Sequence, residues 1–256
     1  MDTKENNIMP ELSFQLYSAR KFPPLQDVFA TIAECGYRNV EGYAALFDDI
    51  EVLGKAMAEH GLSMPSCHIS LVQLQDSERV VRIARELGIS RLICPAIPHD
   101  QRSQPDADWV ALAETLDGLC KTYMAQELRF GWHNHAFEFA ETEKGRLPID
   151  ILMQGAPAME WEMDVAWVVR GGEDPMTWME KYADRITALH VKDLAPEGEC
   201  RDEDGWADAG HGVLPWQDWA KRFAAETPVD LLVLEHDNPS DFQRMARRGM
   251  ATMRNF

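Results

Sequence analysis

Eight short, largely apolar stretches recur along the chain: Leu12–Ser18, Asn39–Tyr43, Ser63–Ile69, Arg91–Ala96, Arg129–Asn134, Glu160–Val165, Thr187–Val191 and Leu231–Glu235. Their length and apolar content predict buried strands. Each is followed by a polar loop and then by a stretch in which apolar residues return at helical spacing. These stretches are Pro24–Glu34, Ile50–His60, Asp76–Leu87, Asp106–Met124, Pro148–Gln154, Pro175–Tyr182, Trp216–Glu226 and Asp241–Met253. Gly36, Gly61 and Gly88 stand where a helix C-terminus needs a left-handed residue, a few positions before the next strand. Strand then helix, eight times over, is the rhythm of parallel βα units. It predicts a single α/β domain, a (β/α)₈ barrel over residues 1–256, with residues 1–11 as a flexible N-terminal segment. Periodicity alone also allows an open doubly wound sheet. However, no G-x-G-x-x-G turn follows the first strand and no G-x-x-x-x-G-K-[ST] occurs, so the nucleotide-binding versions of that sheet lose support. The longest irregular stretch, Ala195–Leu214, reads as a lid, a substrate loop or a disordered segment.

Composition adds limits. A chain of 256 residues, 45% of them apolar, has material for one large core. Lys and Arg number 25 against 43 for Asp and Glu, a formal charge of −18. That field repels nucleic-acid backbones and anionic lipid surfaces, so neither is expected as a partner. A small anionic substrate stays open, because a few local cations act within a Debye length of about 8 Å. Five scattered cysteines without a C-x-x-C pair suit reduced thiols and a cytoplasmic location. The amino terminus has no apolar signal region and no stretch of the chain is a transmembrane candidate.

The chemistry gathers at strand ends. The fifth strand runs into Trp132–His133–Asn134–His135–Ala136–Phe137–Glu138–Phe139, the sixth into Glu162–Met163–Asp164, the seventh into His190–Val191–Lys192–Asp193 and the eighth into Glu235–His236–Asp237. In a barrel these carboxyl ends converge on one face, where active sites are built. Three carboxylates and one imidazole make a mostly hard donor set that suits one divalent ion, Mn²⁺ first, with Mg²⁺, Co²⁺ or Zn²⁺ as alternatives. Such an ion, chelated by a carbonyl and an adjacent hydroxyl, acidifies the intervening C–H and stabilises an enediolate.

Gln15-Leu16-Tyr17-Ser18-x-Arg20, His133-Asn134-His135-x-Phe137-Glu138-Phe139, Asp164-x-x-Trp167, His190-Val191-Lys192-Asp193, Gly210-x-Gly212-x-x-x-Trp216 and Leu234-Glu235 together resemble the sugar phosphate isomerase/epimerase family with a xylose isomerase-like TIM barrel. The resemblance runs from Leu12 to Phe256. It implies that Glu138, Asp164, His190 and Glu235 hold the metal and that Glu138 and Glu235 form the acid/base pair. Where members acting on free ketoses or their phosphates often carry a His three positions after the metal Asp, this chain has Trp167. That departure leans toward the branch resembling epimerases and hydratases of 3-keto-glycosides. Members are often dimers or tetramers, which makes a homo-oligomer an expectation, with the carboxyl-terminal helix as a candidate interface.

The remaining residues carry two readings each. His133 and His135 share a strand face and read as substrate contacts or as structural histidines. Lys192 shares the face of His190 and either stabilises an enolate oxygen or pairs with Asp193. Glu162, with the parity of Asp164, reads as one barrel layer deeper. His68 reads as a pocket wall, Glu41 as a gate or base, and Trp167 as a stacking surface for a sugar ring. The expected function is a divalent-metal-dependent isomerase or epimerase of a small ketose or keto-glycoside. A lyase, hydratase or dehydratase of 3-keto-sugars is the first alternative and a noncatalytic sugar-binding subunit the second. An apurinic-site endonuclease would need further ligands and a basic groove, which the net charge opposes.

Overall fold

The computed structural model describes residues 10–256. Eight parallel strands close a barrel in the order β1-β10-β7-β6-β5-β4-β3-β2. They are β1 (Glu11–Gln15), β2 (Asn39–Tyr43), β3 (Ser63–His68), β4 (Arg91–Cys94), β5 (Arg129–His133), β6 (Glu160–Asp164), β7 (Ile186–Val191) and β10 (Leu231–Leu234). The short strands β8 (Asp193–Leu194) and β9 (Trp206–Ala207) pair with each other outside the barrel. The helices are α1 (Leu25–Cys35), α2 (Ile50–Glu59), α3 (Leu71–Leu74), α4 (Ser77–Leu87), α5 (Asp106–Met124), α6 (Pro148–Gly155), α7 (Val165–Arg170), α8 (Pro175–Tyr182), α9 (Trp216–Glu226) and α10 (Phe242–Met253). The closed barrel removes the open-sheet alternative. The expected flexible segment falls mainly on residues 1–9, outside the described residues, while Glu11 already pairs in β1. No helix among the described residues is long and apolar enough to cross a membrane.

Strand parity sorts the core into two parts. Outward residues such as Phe14, Val40, Leu92, Phe130, Met163 and Leu189 join the helices in one large apolar cluster. Inside the barrel the apolar filling is small, with Ala188, Leu231 and Val233 forming a separate cluster. Below it, Arg91 and Arg129 pair with Glu160 and Asp230 and close the amino-terminal end with matched charge. The apolar layer separates this charged set from the second polar region at the carboxyl ends, where the predicted chemistry lies.

Several ends differ from the sequence expectation for local reasons. The first strand stops at Gln15 because its side-chain oxygen accepts from Tyr17 N and starts a 3₁₀ turn over Leu16–Ala19. Ser70 and Asp164 cap the short helices α3 and α7, which are too brief for apolar period to reveal. The stretch after β7 is ordered. The Asp193 carboxylate accepts from the backbone N–H of Leu194 (2.8 Å), Gly210 (2.9 Å), Gly212 (3.1 Å) and Leu214 (3.0 Å). A Cβ at Gly212 would lie 2.2 Å from the Leu194 carbonyl oxygen, so only glycine lets the loop wrap so tightly. Trp216 Nε1 then donates to the Lys192 carbonyl (2.9 Å), which accounts for the Gly210-x-Gly212-x-x-x-Trp216 spacing.

On its far side the loop is tied to α10. Glu203 accepts from Ser240 N (2.6 Å) and from Arg244 Nη2 (2.8 Å). Burial works against its ionised form, but the hydrogen bonds from Ser240 and Arg244 outweigh it and hold the pKa at about 2. An unfolded Glu titrates near about 4.3. The clamp therefore contributes its full stability above that value and loses it as pH falls toward about 2. Glu203→Gln is expected to lower the urea midpoint at neutral pH, with the gap from the unaltered chain narrowing as the pH drops below about 4. A gap independent of pH would show that the charge of Glu203 does not hold the loop.

Closer to the barrel, Gly249 lets α10 lie against β10. A Cβ there would meet the buried Leu234 side chain at 2.3 Å. Gly249→Ala is expected to cost about 1–3 kcal/mol by overpacking, read by urea unfolding.

Candidate metal centre

The register of β5, β6, β7 and β10 brings His133, Asp164, His190 and Glu235 together at the carboxyl end of the barrel, each offering an atom within 4.8 Å of the others. His190 Nδ1 lies 3.0 Å from Glu235 Oε2 and 4.0 Å from Asp164 Oδ2. Asp164 does two jobs. Its Oδ1 caps α7 by accepting from Trp167 N (2.9 Å), while the buried Oδ2 has no hydrogen bond. The Lys192 ammonium, fully buried, stands 3.0 Å from that oxygen, 2.7 Å from Glu235 Oε2 and 2.9 Å from Asp237 Oδ2. Asn134 has the opposite parity and fixes β5 to β6. It donates to the Asp164 carbonyl and accepts from Asp164 N (3.0 Å) and Trp161 Nε1 (2.9 Å).

One layer deeper lie Glu41, His68 and Glu162. Glu41 accepts from Gln15 Nε2 (2.7 Å) and Ser66 Oγ (2.5 Å). The His190 ring stands between the layers, its Nε2 2.8 Å from Glu41 Oε1 and 3.1 Å from Glu162 Oε2. Carboxylates that hold one imidazole nitrogen leave the other free to point outward as a ligand.

The electrostatics of the centre are dominated by burial. Burial lifts Asp164 to about 6 although Lys192 opposes it. Burial also works against ionised Glu235, but Lys192 and His190 outweigh it and hold that carboxyl well below the usual range. For His68, burial is overcome by Glu41 and Glu162, which raise it to about 9. His190 is raised in the same way by Glu162 and Glu235, whereas burial and the neighbouring His190 push His133 well down. Among the described residues Lys192 is the fixed cation in contact with Asp164, Glu235 and Asp237, Arg170 acts on Asp164 and Asp237 from farther off, and no lysine or arginine pairs with Glu41 or Glu162. Lys192 with His68 and His190 protonated leaves two of these five negative charges without a contacting cation. That excess and a donor set of two imidazoles and two carboxylates fit a divalent cation.

Glu138, expected from the resemblance as a ligand and as half of the acid/base pair, is not brought to this group. Its carboxylate accepts from Trp132 Nε1 (3.2 Å) and His135 N (2.8 Å). Trp132 has the outward parity of β5, so the 3₁₀ turn Phe137–Phe139 carries Glu138 behind the strand. There, burial raises its pKa to about 8. His133, on the inward parity, stands at the β5 end of the cluster instead.

Above the cluster opens a cavity of about 330 Å³, lined by Tyr17, Tyr43, His68, Ser70, Pro95, Ala96, His133, His135, Glu235 and Asp237 among others. His68, His133 and His135 thus reach the space expected of substrate contacts, while Glu41 lies beneath it, fully buried. Burial and Lys192 keep His135 neutral by lowering its pKa to about 3. Trp167 packs on His135 and on Trp206, with ring centroids 5.3 and 4.7 Å apart, and forms a wall beside Lys192 rather than the cavity lining itself. The sequence reading passed over Tyr17, Tyr43 and Asp237 as site residues. Asp237 had a signal, because it lies two residues beyond Glu235 in a strand that alternates.

Comparison with known proteins fits this geometry. The family model described as xylose isomerase-like TIM barrel matches residues 29–256. An inosose dehydratase of Clostridium botulinum is 22% identical over 214 residues, which cover 75% of this chain and 68% of that protein. A sugar phosphate isomerase/epimerase structure from Parabacteroides distasonis superposes with a TM-score of 0.80 at 18% identity, covering 99% of this chain and 96% of the other. A probable 3-DHS dehydratase from Bacillus anthracis does so with a TM-score of 0.74 at 12% identity, covering 96% and 99%. With the fold, the strand-end ligand group and a family match over most of its length, this chain belongs to the xylose isomerase-like TIM barrel family.

Proposed function

We propose that the chain abstracts a proton next to the carbonyl of a small, uncharged carbohydrate, with a divalent metal held by Asp164, His190, Glu235 and His133. The observation that carries this reading is that Asp164, His190, Glu235 and His133 bring their ligand atoms within 4.8 Å of one another, fully or almost fully buried, beneath a cavity. When bound, such an ion polarises a substrate carbonyl and stabilises the enediolate oxygen. Mn²⁺ suits the donor set, with Co²⁺, Zn²⁺ and Mg²⁺ as alternatives.

The chain supplies the rest. Glu235 reaches the cavity wall and takes the proton. The Lys192 ammonium pairs with both Glu235 and Asp237, so when one carboxylate takes up a proton the other keeps its partner. Asp237, also on the cavity wall, is placed to return the proton or to pass it to a departing hydroxyl. Tyr17 and Tyr43, edge to face at 5.4 Å, give the apolar side of a sugar ring a surface.

Charge supports an unphosphorylated substrate. Among the described residues no lysine or arginine lines the cavity, Lys192 is committed to three carboxylates, and Arg20 donates to the carbonyls of Tyr17 and Asp237. Proton return to carbon gives epimerisation or isomerisation. Loss of a β-hydroxyl gives dehydration, and similarity to an inosose dehydratase favours that as the second reading.

Proton exchange in D₂O, followed by NMR with ketoses, 3-keto-glucosides and an inosose, tests the proposal. Deuterium is expected next to the carbonyl of a neutral substrate, abolished by metal removal and restored by Mn²⁺. Glu235→Gln is expected to slow it by about 10²–10⁴-fold, whereas Glu138→Gln leaves it close to that of the unaltered chain. Exchange that survives metal removal, or that fails in Glu138→Gln but not in Glu235→Gln, would overturn the assignment. Release of water without prior exchange product would select the dehydratase reading.

A further inference from the structure

The deeper layer has the geometry of a site in its own right. His68 Nε2 lies 2.7 Å from Glu162 Oε2 and 3.1 Å from Glu41 Oε1. His190 Nε2 lies 2.8 Å from the same Glu41 oxygen and 3.1 Å from the same Glu162 oxygen. Two nitrogens and two oxygens thus alternate at the spacing that adjacent ligands take around one ion at roughly 2.0–2.2 Å. His133 Nδ1, 3.3 Å from Glu162 Oε2, makes no hydrogen bond, and neither does the buried Glu162 Oε1. His68, His133, Glu162 and His190 hold their ligand atoms within 4.8 Å of one another.

Charge counting makes the same demand. Glu41 and Glu162 are fully buried and meet no lysine or arginine among the described residues. The His68 and His190 rings stack in parallel at 5.3 Å between these two carboxylates.

We propose that Glu41, His68, Glu162 and His190, with His133 beside them, form a second divalent-cation site beneath the outer centre. In this arrangement His190 bridges the two through opposite ring nitrogens as an imidazolate, its remaining ring proton passing to solvent when both cations bind. The ligand spacing stands independently of the outer site, and only the sharing of His190 rests on the proposed function. Three imidazoles and two carboxylates make the inner site richer in nitrogen than the outer, so it favours Zn²⁺ or Co²⁺ over Mn²⁺ or Mg²⁺.

The test is metal stoichiometry of the full chain, stripped with EDTA, loaded with Zn²⁺ or Co²⁺, desalted and counted by elemental analysis, with calorimetric titration alongside. Two equivalents are expected for the unaltered chain, and one each for His68→Asn, Glu162→Gln and Asp164→Asn. The single Co²⁺ left in Asp164→Asn is expected to show the stronger visible absorption of a nitrogen-rich site. Glu41→Gln, which preserves the shape and can still bond Gln15 or Ser66, guards against loss through misfolding and is expected to weaken only the inner equivalent. Saturation at one equivalent, lost in Asp164→Asn but kept in His68→Asn, Glu162→Gln and Glu41→Gln, would overturn the inner site and leave the proposed function standing. One equivalent lost in His68→Asn and kept in Asp164→Asn would uphold the inner site and overturn the outer one. No binding would overturn both.

Discussion

The carboxyl end of this barrel is governed by the cost of burying like charges together. Glu41, Glu162, Asp164 and Glu235 are each at most 5% exposed and crowd around the rings of His68, His133 and His190 and a single lysine. An uncompensated carboxylate in such surroundings is expensive enough that a protein either protonates it or supplies a cation. Here Lys192 serves the outer carboxylates and the imidazoles serve the inner ones, with negative charge still in excess. Such a cluster is poor material for stability and good material for a cation site.

The rest of the fold keeps that cluster in place. A matched set of Arg91, Arg129, Glu160 and Asp230 closes the opposite end of the barrel, so the two polar regions are separated by the apolar layer of Ala188, Leu231 and Val233. Asn134 ties the β5 turn to Asp164 with both its donor and its acceptor. Asp193 gathers four backbone N–H groups and folds the long loop back over Lys192, where Trp206 lies with its ring centroid 4.6 Å from the ammonium. An indole above a buried ammonium adds a favourable contact without adding another charge.

Much of this was legible in the sequence because period and parity are local. All eight predicted strands begin within a residue of those observed, and alternation alone puts Glu162 below Asp164 and Lys192 above His190. The short helices α3 and α7 were not legible, since four to six residues set by one capping side chain carry no period. Glu138 was placed from resemblance to a ligand pattern. Whether a carboxylate three residues past a strand turns inward or outward depends on a 3₁₀ turn and on a partner, Trp132, that sequence spacing does not reveal. His133, by contrast, could have been weighed as the β5 ligand from parity alone. The loop Ala195–Leu214 looked irregular because its order comes from Asp193, Glu203 and three backbone turns rather than from apolar pattern.

Crystals of the chain grown with Mn²⁺, with anomalous diffraction recorded at the manganese edge, address the central claim most directly. A peak is expected among Asp164, His190, Glu235 and His133, with the Glu138 carboxylate still accepting from Trp132 Nε1. A peak coordinated by Glu138, or no peak between β6 and β10 at saturating Mn²⁺, would contradict it.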